Sequence, residues 1–221
     1  MMKKIREGFT LVELMIVSAI SAIIMFGVFG ILQASNKQLE TIHTKMSLEE
    51  SLREALFKMA QEIRQTAYYE IQDIGDGNLS GTPIRFRIPV PDPDPLTLVD
   101  DNYQPAWSHV IRYRRGPHTN VDINDPCKAI DDIINSCGEN QLCRDDCTTG
   151  KTAVLANDIV AVDDPANDVW GLKFSRSSSG SGFVTITASV QKELADGRLI
   201  PEDPKKPIQI TMQVDARNTA S

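Results

Sequence analysis

The sequence predicts an α+β protein in which one long N-terminal helix precedes an antiparallel sheet. Three observations carry that expectation: an apolar run at residues 9–32, a helical stripe that continues it to about residue 69, and four later segments in which apolar and polar residues alternate. A length of 221 residues suits one domain with an appendage, and 41% apolar residues supply a modest core. The net charge of −7 leaves no cationic surface of the kind that drives phosphate-backbone binding, so nucleic acid is not an expected partner.

The first element is the apolar run. It contains no Lys or Arg and a single acid, Glu13. At 1.5 Å per residue its roughly 24 residues cover about 36 Å, enough to cross a ~30 Å hydrocarbon core with some tilt. It follows an octapeptide in which Lys3, Lys4 and Arg6 outnumber Glu7. Positive charge flanking a first span favours the cytoplasmic side, so the chain beyond residue 32 is expected outside the cytoplasm. A cleaved secretory signal would have a shorter apolar core with a small-x-small site at its far end. Here that end reads Phe29-Gly30-Ile31-Leu32-Gln33-Ala34-Ser35, without Ala-x-Ala.

Glu13 needs a physical reason, because a carboxylate within a helix in lipid costs on the order of 2.5 kcal/mol or more unless paired or close to the surface. One reason is local: Thr10-x-x-Glu13 fits a capping box, with the acid in the first turn of the helix dipole. The other is intermolecular. A cut after Gly8 would free an α-amino group on Phe9, about 6 Å along the axis from Glu13. Glu13 would then neutralise the corresponding amine of a neighbouring subunit and set the axial register. Ser18, Ala19, Ser21 and Ala22 suit either ordinary small-residue tolerance or close helix packing in a membrane.

The second element continues the first. Apolar residues recur at Leu39, Ile42, Met46, Leu52, Leu56, Met59, Ile63 and Ala67, a helical stripe. Opposite charges four apart, Lys45/Glu49, Glu49/Arg53, Glu54/Lys58 and Lys58/Glu62, are expected on the water-facing side. No proline occurs between Phe9 and Pro83, so one helix from about residue 9 to 69 would reach roughly 90 Å. Gly27 and Gly30 are its only internal breakers, and turn chemistry at Gly75-Asp76-Gly77-Asn78 closes the helical region.

Beyond that turn the period becomes two. Ile84/Phe86/Ile88/Val90, Trp170/Leu172/Phe174, Val184/Ile186/Ala188/Val190 and Ile208/Ile210/Met212/Val214 alternate with polar or small residues and read as half-buried strands. Residues 109–114 and 153–162 are further strand candidates, and 175–182 reads as a hairpin turn. A one-faced sheet must cover its apolar side, and the amphipathic helix is the element available to do so.

Cys127, Cys137, Cys143 and Cys147 lie within 21 residues in a C-x9-C-x5-C-x3-C spacing. Paired C-x2-C spacing and a nearby histidine are lacking, so no metal site is expected there. In an oxidising compartment two disulfides are the economical reading, with three pairings open. Residues 117–151 hold few large apolar side chains and read as an inserted loop stapled by its bridges. The acid pairs Asp92/Asp94, Asp100/Asp101, Asp131/Asp132, Asp145/Asp146 and Asp163/Asp164, the last with Asn167 and Asp168, lack the spaced calcium-loop pattern and read as solvated loops. Nucleophile elbow, Walker loop and H-E-x-x-H are missing, and His43, His109 and His118 have no ligand spacing, so neither catalysis nor a cofactor is expected.

The short basic leader followed by Gly8-Phe9-Thr10-Leu11-Val12-Glu13-Leu14-Met15-Ile16-Val17 resembles the class III signal of the type IV pilin superfamily, which includes minor pilins and type II secretion pseudopilins. The resemblance implies cleavage between Gly8 and Phe9 by a prepilin peptidase, N-methylation of Phe9, and subunit assembly through Glu13. It also implies a pilin-like fold. Softer likenesses are Glu62-Ile63-Arg64 with Ala67-Tyr68, similar to the end of the first helix in PilW-type minor pilins and J-type pseudopilins, and the Arg217-Asn218 ending.

The expected layout is a leader at 1–8, an assembly helix at 9–32, and an extracytoplasmic domain at 33–221, divided into an amphipathic helix at 33–70 and a β-rich part at 71–221. The expected role is a minor pilin of a type IV pilus, an initiating or tip subunit, with a J-type pseudopilin as the close rival. A signal-anchored binding domain that never polymerises is the rival of another class. The implied partners are other pilins or pseudopilins, the prepilin peptidase, inner-membrane assembly machinery, and membrane lipid before assembly. The implied location is the bacterial inner membrane with a periplasmic domain, then a pilus or pseudopilus.

Overall fold

The computed structural model describes residues 10–66, 71, 83–89, 107–117, 127, 130, 137–160, 164–167, 169–176 and 183–216. Several sequence features lie outside these residues. They are the leader with Lys3, Lys4, Arg6 and Gly8, Phe9, Ala67 and Tyr68, the 75–78 turn, Val90, His118, the turn residues 177–182, Arg217 and Asn218, and the acids Asp92, Asp94, Asp100, Asp101, Asp131, Asp132, Asp163 and Asp168. The chain forms two compact units, Met1–Thr44 and Lys45–Ser221.

Helix α1, Leu11–Ile63, is continuous over 53 residues. No proline interrupts it, and a capping box at Thr10 starts it. It ends at Ile63, short of the expected residue 69, because the amides of Gln65 and Thr66 bond three residues back, to Glu62 O at 3.0 Å and Ile63 O at 3.2 Å. The Thr66 hydroxyl then donates to the Arg87 carbonyl at 2.6 Å, which ties the helix end to the first strand. The inward stripe is Leu48, Leu52, Ala55, Leu56, Met59, Ala60 and Ile63. Leu48 fills the six-residue gap that the sequence stripe left between Met46 and Leu52. Leu39, Ile42 and Met46, expected in that stripe, are instead at least half exposed.

Nine strands follow among the described residues. β1 (Ile84–Pro89), β2 (Trp107–Arg115), β3 (Leu142–Asp146) and β4 (Lys151–Ala156) form a four-stranded antiparallel sheet in chain order. β5 (Leu172–Arg176) and β6 (Phe183–Val190) pair as a hairpin, β7 (Lys192–Glu193) and β8 (Leu199–Ile200) as a second, and β9 (Ile208–Asp215) joins β6 to give the order β5-β6-β9. Gly197, at φ 81°, makes the turn between β7 and β8, a left-handed conformation that favours glycine. The candidate strand at 153–162 ends early, since Asp158 adopts φ 59° and redirects the chain, after which Ile159 bridges to Val190 of the other sheet.

Both larger sheets give their apolar faces to one core with the second half of α1. Ile84, Phe86, Ile111, Tyr113 and Leu142 come from the first sheet, and Leu172, Phe174, Val184, Ile186, Val190 and Val214 from the second. Each fully buried side chain of this size stabilises by about 1.5–3 kcal/mol. A polar clamp reinforces the packing. Arg144 of β3 donates to both Glu62 carboxylate oxygens at 2.9 and 3.0 Å, and the Tyr113 hydroxyl of β2 donates to the same carboxylate at 2.6 Å. Burial first, then the Glu62 charge, pushes the Tyr113 hydroxyl well above its usual range. Burial alone would lower Arg144, but the Glu62 hydrogen bond and charge raise it. Glu62 therefore does not serve the water-facing pair with Lys58. Of the four expected helix pairs, Glu49–Arg53 forms, at 2.8 Å.

The cysteine-rich segment is only partly loop, because β3 within it lies between β2 and β4. Its composition, Leu-Cys-Arg-Asp-Asp, hid it: one face carries Arg144 toward Glu62 and the other carries Asp145 toward two arginines. Asp145 is fully buried between Arg112 Nε at 2.9 Å and Arg114 Nε at 2.6 Å, and the Thr152 hydroxyl of β4 donates to it at 2.8 Å. The disulfides are Cys127–Cys147 and Cys137–Cys143, with Cα–Cα distances of 4.5 and 6.2 Å, one of the three pairings the spacing left open. Cys127, Cys147 and Ile130 form a small second cluster with Val110, on the side of β2 away from the main core. The Cys127–Cys147 bridge thus holds Ile130 and its own sulfurs against Val110 on that side of β2.

Burial would raise the Asp145 pKa, but the Arg114 hydrogen bond and charge, with Thr152 and Arg112, outweigh it and hold the carboxyl below the usual carboxylate range. Its contribution is complete above the unfolded value of about 3.9 and is lost as pH falls through the lower folded value. Asp145→Asn is expected to lower thermal stability at neutral pH and to flatten the loss seen on acidification below about pH 4, as read by calorimetry. Asp145→Ala, which strips both arginines of their counter-ion, is expected to cost about 3–5 kcal/mol in chemical denaturation. Replacing Cys127 and Cys147 by Ser opens a bridge of sequence separation 20 and is expected to cost about 3 kcal/mol in the same measurement.

Candidate functional site

The first half of α1 is apolar on every side. Its most apolar 18-residue window has a mean hydropathy of 2.5 and is not buried within the chain. Large apolar side chains from Leu11 to Leu32 are all more than half exposed, from Val28 at 51% to Phe26 at 80%. A helix that is apolar all round belongs in lipid or among other helices, and exposed apolar surface this extensive marks an interaction site. Gly27 and Gly30 do not break it. An added Cβ at either would meet nothing within 4 Å, so no contact inside the chain requires glycine there. Ser18 returns its hydroxyl to Met15 O at 2.9 Å, which satisfies that polar group inside the helix.

At the head of this surface, Thr10 and Glu13 realise the capping box. The Glu13 amide donates to Thr10 Oγ1 at 3.3 Å, while the Thr10 amide and hydroxyl donate to Glu13 Oε2 at 2.9 and 3.0 Å. Both donors converge on one carboxylate oxygen. Among the described residues Glu13 Oε1 accepts no hydrogen bond, so half of the carboxylate stays open to a cation or donor from elsewhere. The local and the intermolecular readings of Glu13 are therefore compatible: the cap holds the side chain along the helix and leaves an acceptor available. Phe9, the other member of the expected pair, lies outside the described residues, as do Gly8 and the basic flank.

Several of the other sequence-derived residues that the structure describes have structural employment. The four cysteines form the two bridges described above. Asp145 and Asp146 lie in β3, and burial, which would raise Asp146, is outweighed by hydrogen bonds from Thr149 and by the His109 charge, so that its pKa is lowered. His109 Nδ1 sits 3.5 Å from Asp146 Oδ2. Asp164 accepts from the Ala166 amide and the Asn167 side chain within its own turn. No group of three or more His, Cys, Asp or Glu side chains converges as a metal site among the described residues. Sequence reasoning missed Tyr113, Arg144 and Glu62 as a clamp and Arg112, Arg114 and Asp145 as a buried ion cluster. The available sign was two arginines alternating with Ile111 and Tyr113 inside a strand candidate, which require buried counter-charge if both faces are covered.

Residues 3–29 match a family model described as the prokaryotic N-terminal methylation motif, the type IV pilin-like signal. No curated protein and no solved structure matches the chain significantly. The match covers the leader and most of the apolar run. It supports a protein of type IV pilin or pseudopilin type, processed by prepilin peptidase and assembling with other pilins. The family is structural, not enzymatic, and the motif and apolar helix together fit anchoring in the inner membrane.

Thr10→Val removes the hydroxyl donor to Glu13 Oε2 and the acceptor of the Glu13 amide, and leaves the backbone amide of residue 10 as the remaining donor. Loss of such a cap costs about 1 kcal/mol, so the Glu13 amide is expected to exchange with solvent roughly fivefold faster in detergent micelles, by hydrogen-exchange NMR.

Proposed function

We propose that this chain is a minor pilin that prepilin peptidase cleaves between Gly8 and Phe9 and methylates at Phe9. It then waits in the inner membrane as a single span, with residues 33–221 in the periplasm. Lys3, Lys4 and Arg6 keep the leader on the cytoplasmic side. Assembly machinery draws the mature helix, residues 9–32, out of lipid and into a type IV pilus, where its apolar surface is buried against the helices of other pilins. Glu13 meets the Phe9 amine of a neighbouring subunit through the carboxylate oxygen that Thr10 leaves open. The observation that carries this reading is the combination of an all-round apolar helix with one half-satisfied acid, inside the matched methylation motif.

The initiating or tip position is supported by the length of 221 residues and by the disulfide-fastened segment, features suited to a low-copy subunit that ends a filament. A J-type pseudopilin of type II secretion is the second reading, favoured by the same Glu62-Ile63-Arg64 pattern at the end of α1. Deletion of the gene separates the two, since one reading expects loss of piliation and the other loss of secretion.

Intact mass and N-terminal sequencing of the native membrane protein are expected to show removal of residues 1–8 and a gain of about 14 Da on Phe9. Glu13→Ala is expected to be processed normally yet to fall at least about tenfold in isolated filaments, the effect of roughly 1.4 kcal/mol at the subunit contact. An intact leader, or wild-type incorporation of the alanine variant, would overturn the proposal.

A further inference from the structure

Strand β9 is an outer strand, paired with β6 and with no other strand among the described residues. It keeps register over its whole length, from Phe183↔Asp215 to Val190↔Ile208, without a shift. Exposed strand edges are usually blunted by a bulge, a proline or a lysine, because their unpaired N–H and C=O groups template another chain. The first sheet does this at both edges. β1 ends in Pro89 with a register shift beside it, and β4 begins at Lys151 and pairs with β3 through another shift. β9, Ile-Gln-Ile-Thr-Met-Gln-Val-Asp, has none of these devices.

A shallow groove of about 660 Å³ runs beside β9, with Met46 and Phe57 of α1 and Ile210 and Met212 of β9 as its apolar lining. Met46 and Phe57 are 64% and 56% exposed, and Ile210 and Met212 pack against the core while remaining half-open. Glu50 and Glu54 stand at the rim. Arg53 is engaged by Glu49, and neither Glu50 nor Glu54 makes an ion pair among the described residues.

We propose that the β9 edge and this groove dock an extended, basic segment of a different polypeptide. The segment adds to β9 as a further strand, lays alternate apolar side chains on Met46 and Phe57, and brings Lys or Arg to Glu50 and Glu54. The edge dictates an extended conformation and a period of two. The two unpaired carboxylates dictate the sign of charge. A second copy of this chain suits the site poorly, because the chain carries a net charge of −7 and pairing β9 with β9 would place two acidic rims in one interface. Segments 72–82, 91–106 and 118–126 of the same chain contain acids and no Lys or Arg, so they lack the required charge as well. The site stands apart from Glu13 and does not depend on the proposed function.

The test uses the full chain in detergent micelles and two short blocked peptides, one alternating valine with lysine and the other valine with glutamate. Binding is read by fluorescence anisotropy and its location by hydrogen exchange. The lysine peptide is expected to bind at least about tenfold more tightly than the glutamate peptide and to slow exchange along β9. E50K/E54K is expected to reverse that preference, and Phe57→Ala to weaken both peptides. If the lysine pair disturbs folding by circular dichroism, E50Q/E54Q is expected to abolish the preference instead. Absence of protection at β9, a preference that survives removal of both carboxylates, or self-association of the chain through β9 would each overturn the proposal.

Discussion

A single unbroken helix must serve two surroundings, and the rest of the molecule follows from how its sequence changes along its length. From Leu11 to Leu32 every side is apolar and exposed within the chain. From Leu48 to Ile63 only one side is, and that side is buried under the sheets. The first half therefore contributes nothing to the stability of the folded domain, and its burial free energy is available only to lipid or to other helices. The second half is the reverse: its apolar stripe is consumed internally, so its outward side is left to charged residues with Phe57 among them. One polypeptide thus divides its hydrophobic surface between holding itself together and holding to others.

The end of the helix is where that division is enforced. Glu62, one residue before the last residue of α1, is gripped by Tyr113 and Arg144, and Thr66 by the Arg87 carbonyl. Apolar packing alone is weakly directional, whereas these bonds fix the rotation and axial position of the helix over β1, β2 and β3. On the far side of the same sheet, Asp145 joins β2, β3 and β4 through Arg112, Arg114 and Thr152. Such buried ion clusters add little stability compared with apolar side chains of equal volume, but breaking them is costly, so they discriminate against misregistered strands. A one-residue slip of β3 would present Arg144 to two arginines and Asp145 to Glu62.

Much of this was legible in the sequence wherever one physical rule acted alone. The apolar run, the late amphipathic helix and the alternating strands β1, β5, β6 and β9 each follow a single period, and the structure places them within a few residues. Legibility failed where two rules competed. β3 looks like loop because Leu142 is its only large apolar residue, so no alternation of apolar and polar residues marks it. Met46 fits the helical stripe by spacing, yet the core begins at Leu48. Lys58/Glu62 fits helix-pair spacing, yet Glu62 finds a better partner, Arg144, 82 residues away. At the candidate site, Thr10 and Glu13 were readable because the capping box is local. Which carboxylate oxygen stays open was not readable, since it depends on side-chain geometry.

The clasp between Cys127 and Cys147 ties the maturation of the domain to its chemical surroundings. Thiols stay reduced in reducing surroundings and pair in oxidising ones, so the seating of Cys127 and Ile130 against Val110 depends on the redox state around the chain. The bond acts chiefly on the unfolded chain, whose freedom it removes over a loop of sequence separation 20, so its hold on the domain is greatest when the domain is about to come apart.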